Sequence, residues 1–347
     1  MRAAGRGAQA GPPRRAPAGY RRMSAPTPFA PARRRLLVGA AGLAALGGVA
    51  AFRAAATSRG LALRTRAGLA FGTTVALTAA GPDPSAIEAA LDDGFAAMRA
   101  VEAAASLFRA DSALARLNRD GSLEAPDPHL LALLRFALAL AAETGGAFDP
   151  TVQPLWPVWA GAAARGERPG AEALRGALAR VGWRRVRVAT DRIVLEPGTA
   201  LTLNALIQGY AADQVMAALR ARGIADAFVD TGEFGAAGAH PDGTPWRLGL
   251  ADPRHPGEVA AVLAPFTGFA ATSGDYNMSF SDDRADHHIF DPATGRSPRA
   301  LSSVTVTAPT GLVADGLSTA CMVLGPARGA DLVAARPGCA VRFTGKG

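Results

Sequence analysis

Short β-branched runs and capped helices follow one another along this chain without a regular alternation, and that order decides the fold class. Asp83-Pro84 opens a helical stretch to about Ala105, and Asp127-Pro128 opens another that ends at Gly145-Gly146. A third helix runs from about Gly209 to Arg222, and a fourth from about Val313 to Leu324, before Gly325-Pro326. Between them, Thr73 to Thr78, Val186 to Leu195, Phe228 to Asp230, Val259 to Phe266 and Val304 to Thr307 read as strands. Because strands and helices do not alternate, an α+β arrangement of mixed sheets and helices is expected, not a doubly wound parallel sheet. No repeat and no Pro- or Ser-rich linker divides residues 61–347, so they read as one compact domain. No strand leads into G-x-G-x-x-G and a helix, so the dinucleotide fingerprint is absent.

The charge balance divides the chain differently. The formal net charge is +8, yet residues 1–60 hold eleven arginines and no acid, leaving 26 basic against 29 acidic residues beyond them. The domain is thus mildly acidic, and nothing in its composition points to nucleic acid. Arg33, Arg34 and Arg35 stand directly before the uncharged stretch Leu36 to Phe52, the layout of a twin-arginine export signal. Residues 1–56 are therefore read as a basic leader and signal, and the domain as periplasmic. Left uncleaved, the same segment would tether it to the inner membrane. Cleavage at Gly48-Val49-Ala50 and at Ala54-Ala55-Ala56 both fit, as do starts at Met1 and Met23. Cys321 and Cys339 read equally as a disulfide pair or as two free thiols.

Two local patterns carry chemistry. Asp315 and Thr319 lie four residues apart on a helix, so carboxylate and hydroxyl face the same way. Two hard oxygen donors suit magnesium, although an aspartate near a helix start is also an ordinary cap. The segment Ala271-Thr272-Ser273-Gly274-Asp275-Tyr276 precedes His287-His288-Ile289-Phe290-Asp291-Pro292 and Thr294-Gly295. Small hydroxyl residues around a glycine can hold phosphate oxygens, and a nearby histidine can serve as a base. A hairpin with a merely polar loop fits the same residues. With no H-E-x-x-H and no C-x-x-C, zinc is not supported.

Eight segments in order then resemble the ApbE family of FAD:protein FMN transferases. They are Phe71-Gly72-Thr73; Ser106 to Asn118 through Phe108-Arg109-Ala110-Asp111-Ser112; Thr144 to Val152; Leu203-Asn204 through Gln208-Gly209-Tyr210 to Asp213; Asp230-Thr231-Gly232-Glu233; Ala271 to Tyr276; His288 to Gly295; and Ala314-Asp315 to Thr319. The resemblance implies a magnesium ion on Asp315, Thr319 and the backbone carbonyl of Ala205. It implies an FAD site lined by Phe71, Phe108, Ala147, Phe148, Asp149, Thr202, Gln208 and Asp213, with Thr272, Ser273 and Gly274 nearby. His288 is implied as the acid/base residue. FAD would be substrate, AMP the leaving product, and a threonine or serine of an acceptor flavoprotein, on a periplasm-facing respiratory subunit, the destination of FMN.

Three positions depart from the family pattern. Phe71 replaces the usual methionine, Gln208 stands where many members carry lysine, and Thr231 replaces the first glycine of Gly-Gly-Glu. Two other readings compete: an FAD pyrophosphatase with water as acceptor, and a non-catalytic FAD-binding assembly factor, for which the loss of a positive charge at Gln208 is the best argument.

Overall fold

The computed structural model describes residues 60–346, so the export signal expected within residues 1–56 lies outside the described residues. A hairpin of β1 (Ala62–Ala70) and β2 (Thr73–Gly81) leads into α1 (Pro84–Ala105), α2 (Ala113–Asp120), β3 (Ser122–Glu124) and α3 (Pro128–Glu143). Two short helices, α4 (Leu155–Ala163) and α5 (Ala171–Leu178), precede the hairpin of β4 (Val186–Val188) and β5 (Arg192–Leu195). Then follow α6 (Ile207–Ala221), β6 (Asp226–Asp230), β7 (Phe234–Ala237), β8 (Leu248–Ala251), β9 (Val259–Leu263) and β10 (Gly268–Gly274). The chain closes with β11 (Leu301–Ala308), α7 (Gly311–Ala334) and β12 (Ala340–Gly345).

Among the described residues, one seven-stranded sheet in the order β1-β2-β6-β7-β10-β11-β12 organises the domain, and its neighbouring strands pair antiparallel. Side chains alternate across it. Ala227, Val229, Phe269, Ala271, Val304 and Val306 join the main core, which also holds Leu91 and Met98 of α1, Leu134 of α3, Val215 of α6 and Leu317 of α7. Phe228 and Ala270, on intervening positions, join a smaller cluster with Trp246, Leu248, Leu250 and Phe266. Helices therefore cover one face, and the β8–β9 hairpin packs on the other. This is the α+β domain expected from the order of elements.

Local chemistry explains where elements start and stop. Asp83 and Asp127, each followed by proline, accept from Ser85 N and His129 N at 2.8 and 2.7 Å and so begin α1 and α3. The reading of Val186 to Leu195 as one strand is corrected: Ala189 N donates to Arg192 O at 2.8 Å, and Thr190-Asp191 turn the chain into a hairpin. The helix expected to stop before Gly325 is broken there, with Gly325 at φ 78°, but helix resumes to Ala334 because Pro326 fits a first helical turn. The segment from Ala271 is not a loop until Asp275; Ala271 to Gly274 are the end of β10. No helix among the described residues is long and apolar enough to cross a membrane.

Strand register gathers the chemistry at one end of the sheet. Ala76 of β2 faces Asp230 of β6, so the Phe71-Gly72 turn lies beyond the end of β6. Ala270 of β10 faces Phe234 of β7, so Thr272, Ser273 and Gly274 overhang the same β6–β7 turn.

Candidate active site

The centre of the site is a set of hydrogen bonds joining segments far apart in sequence. Gly209 N, in the first turn of α6, donates to Asp315 Oδ2 of α7 at 2.9 Å. Thr231 Oγ1, in the β6–β7 turn, donates to Gln208 O at 2.8 Å. Thr272 N donates to Glu233 Oε2 at 3.0 Å. Ser273 Oγ lies 2.8 Å from both Ser318 Oγ and Thr319 Oγ1 on α7. Asp315 and Thr319, four residues apart on α7, thus meet the first turn of α6 and the end of β10 respectively. Thr272 takes the other face, where its hydroxyl meets Thr305 Oγ1 at 2.8 Å.

Three carboxylates converge here. Burial pushes the Asp315 carboxyl up to about 7, against the pull of Gly209 N–H. Burial raises Glu233 well above its ordinary value, and the negative charges of Asp315 and Asp230 add to the rise. Asp230 is raised by burial as well. No ion pair to any of the three occurs among the described residues, in contrast to nearby Asp275, which is fully buried and paired with Arg254 and Lys346 at 2.9 and 3.3 Å. Buried carboxylates without a basic partner are the surroundings a divalent cation relieves, and the hydroxyls of Thr319 and Ser273 are hard donors of the same kind. No three His, Cys, Asp or Glu side chains among the described residues form a metal cluster by themselves. A magnesium site here would draw on Asp315, Thr319 and the backbone oxygen of Ala205, which precedes α6 by two residues.

The two histidines have different commitments. His287 is fully buried; its Nε2 lies 3.1 Å from Pro298 O, and its Nδ1 accepts from Ile289 N at 3.4 Å. Both nitrogens are spent, and burial depresses the ring to about 4. His288 is partly exposed, and its Nδ1 lies 3.0 Å from Met278 O. A carbonyl only accepts, so Nδ1 carries the hydrogen and Nε2 presents a lone pair. Burial also lowers His288 below the ordinary histidine value, opposed by Met278 O and Asp275. No strand runs through His288; an isolated bridge joins His287 to Ser279, and His288 sits at a bend.

The other residues divide between surface and scaffold. Phe71, buried at φ 53°, donates its N–H to Glu102 Oε1 at 2.8 Å, and Phe108, 69% exposed, lies over Gly72. Ala147 and the buried Phe148 follow α3, with Phe148 N donating to Thr144 Oγ1 at 3.1 Å. Asp149 is held by Thr151 N, Thr151 Oγ1 and Trp183 N, at 2.8, 2.6 and 2.8 Å. Thr202 N donates to Pro150 O at 2.8 Å, tying the start of α6 to that loop. The amide of Gln208 lies against Gly232, where φ is +96° and a Cβ has no room. Gly274 lies under the ring of Tyr276. Asp213 turns both oxygens toward Gly311 N and Leu312 N. Glu233, Asp230 and Ser318 drew no role from the sequence; the one signal for Glu233 was its place in the Asp230-Thr231-Gly232-Glu233 segment.

Comparison with known proteins identifies the family. The ApbE family model matches residues 71–343. An FAD:protein FMN transferase of Treponema pallidum is 33% identical over 303 residues, covering 80% of this chain and 83% of that protein. One from Salmonella typhimurium is 34% identical over 251 residues, covering 68% and 71%. The solved flavin transferase ApbE of Vibrio cholerae superposes with a TM-score of 0.72 at 27% identity, over 83% of this chain and 94% of that one. The apo flavinyl transferase ApbE of Pseudomonas stutzeri gives 0.70 at 33% identity, over 83% and 92%. A family match across nearly the whole described domain, with relatives and folds that agree, makes this chain a member of the ApbE family.

Proposed function

We propose that the chain is a magnesium-dependent FAD:protein FMN transferase that acts, after export, on a threonine or serine of an acceptor protein facing the periplasm. The observation that carries the reading is the meeting of Asp230, Glu233 and Asp315, without a basic partner, beside the Ser273, Ser318 and Thr319 hydroxyls at one end of the sheet. Asp315, Thr319 and the Ala205 carbonyl would hold the magnesium. Bound there, it would neutralise the FAD pyrophosphate. His288 Nε2 takes the proton of the acceptor hydroxyl, whose oxygen then forms a bond to the FMN-side phosphorus while the bond from that phosphorus to the bridging oxygen breaks, releasing AMP. His288 Nδ1, held on Met278 O, keeps the ring in the tautomer this step needs. Phosphoryl transfer of this kind rests on positioning and charge neutralisation, so no covalent enzyme intermediate is required.

Incubation of the protein with FAD, Mg²⁺ and candidate acceptor polypeptides, read by intact mass, tests the proposal. An FMN-sized gain on the acceptor is expected. Free FMN and AMP with no labelled acceptor would establish a pyrophosphatase instead, and bound, intact FAD a binding factor. The second outcome set is of interest because Gln208 brings a neutral amide to the carboxylate cluster where many family members bring a lysine.

A further inference from the structure

The N-terminal turns of α6 and α7 meet at two glycines. A Cβ built on Gly209 would stand well under 3.0 Å from Gly311 O, and one on Gly311 would meet Gly209 O as closely, so the two backbones are in contact. Each helix then supplies a carboxylate to the first turn of the other. Asp213 of α6 accepts from Gly311 N at 2.6 Å and Leu312 N at 2.9 Å. Asp315 of α7 accepts from Gly209 N at 2.9 Å through Oδ2. The first N–H groups of a helix lack intrahelical partners, and negative charge is favoured beside them, so this exchange fixes one helix against the other. The residue before α7 does much less, since Thr310 Oγ1 is 3.4 Å from Val313 N. Asp213 spends both oxygens on α7, whereas Asp315 Oδ1 takes no protein hydrogen bond among the described ones.

We infer that Asp213 is a positioning residue: by gripping the first turn of α7 across the Gly209–Gly311 contact, it sets where Asp315 Oδ1 stands. The inference rests on the reading above that Asp315 holds magnesium. It departs from the role that family resemblance gives Asp213 on the FAD site, because each of its oxygens already accepts a backbone N–H from the first turn of α7. A contact residue for FAD and a residue that aims Asp315 make different demands when removed.

The test uses the full chain and compares Asp213→Ala and Asp213→Asn with wild type in two measurements. Hydrogen exchange reports the amides of Gly209 and of Gly311 to Val313, and calorimetric titration reports Mg²⁺ affinity in the presence of FAD. Asp213→Ala is expected to speed exchange at both helix starts and to raise the Mg²⁺ dissociation constant about tenfold or more, as loss of a ligand's supporting partner does. FAD affinity without Mg²⁺ should hold. Asp213→Asn, which keeps one acceptor oxygen, should fall between, and it carries the test if the alanine variant does not fold. Unchanged exchange at Gly209 overturns the inference, as does lost FAD affinity with an unchanged Mg²⁺ constant. If wild type binds no Mg²⁺, the metal reading fails, and the exchange measurement alone decides whether Asp213 fixes the Asp315 turn.

Discussion

Replacing His288 and His287 by alanine should produce losses of different kinds, because the two neighbours spend their nitrogens differently. His288→Ala removes the Nε2 lone pair, and loss of a general base costs roughly 10²- to 10⁴-fold in rate. Burial lowers its ring below the ordinary histidine value, which favours the neutral form that can act as a base. The acid limb of the wild-type rate profile should accordingly lie below the ordinary histidine value of about 6.5. His287→Ala removes instead a buried ring bonded to Pro298 O and Ile289 N, and stranding such groups costs about 1–3 kcal/mol of stability each. That variant should melt earlier yet keep a larger share of its single-turnover rate at temperatures where it is folded. The assay is FMN transfer by intact mass at saturating FAD and Mg²⁺, with FAD binding followed by flavin fluorescence. A larger rate loss in His287→Ala, or failure of His288→Ala to bind FAD, would refute the assignment.

Other expectations follow from the same contacts. Asp315→Ala should abolish Mg²⁺-dependent transfer with the fold intact by circular dichroism; activity retained at low Mg²⁺ would sink the metal assignment. His287 is depressed to about 4 in the folded chain, so its stabilising contribution is present above about pH 6.5 and is lost as pH falls toward 4, about 3 kcal/mol in all. Asp213 and Asp315, raised to about 6 and 7, slope the opposite way, so the comparison is between wild type and His287→Gln: acid melts in which the variant is no flatter would count against it. Gln208→Lys places a cation against the Gly232 turn between Asp230 and Glu233 and should speed FMN transfer in steady-state assays, whereas no change would separate the lysine of other members from rate. Replacing Arg33, Arg34 and Arg35 by lysine should strand the protein in the cytoplasm on fractionation, and unchanged export would remove the twin-arginine reading.

Much of the fold was legible because the strongest signals are local. Asp83-Pro84 and Asp127-Pro128 mark helix starts by a carboxylate accepting an orphan N–H, and no tertiary contact is needed to read that. β1 was missed, since Ala62 to Ala70 is mostly small residues with Arg64 and Arg66 and has no β-branched run, and its strand shows only in the pairing with β2. α2, α4 and α5 are eight or nine residues long, too short to rise above composition. At the site, the shared face of Asp315 and Thr319 followed from helical spacing, while their proposed role and the remaining residues came from the family motifs. Which face each takes did not follow. That Ser273 meets α7 while Thr272 turns away depends on the register of β10, and that both oxygens of Asp213 reach the first turn of α7 depends on two glycines meeting 102 residues apart in the chain.

The hydrogen bond from Gly209 to Asp315 closes a loop of 106 residues, and that separation has a consequence for how the protein acquires its ligands. Contacts so distant in sequence form late, because the entropy of bringing the segments together is spent before they stabilise anything. A chain emerging from the ribosome carries β10 and α6 well before α7, and until α7 docks there is no Asp315 or Thr319 beside Ser273. On the proposed assignment of Asp315 and Thr319 to magnesium, capture of the ion would therefore report that nearly the entire domain has folded. A partly made or misfolded chain would then offer no cation site to fill.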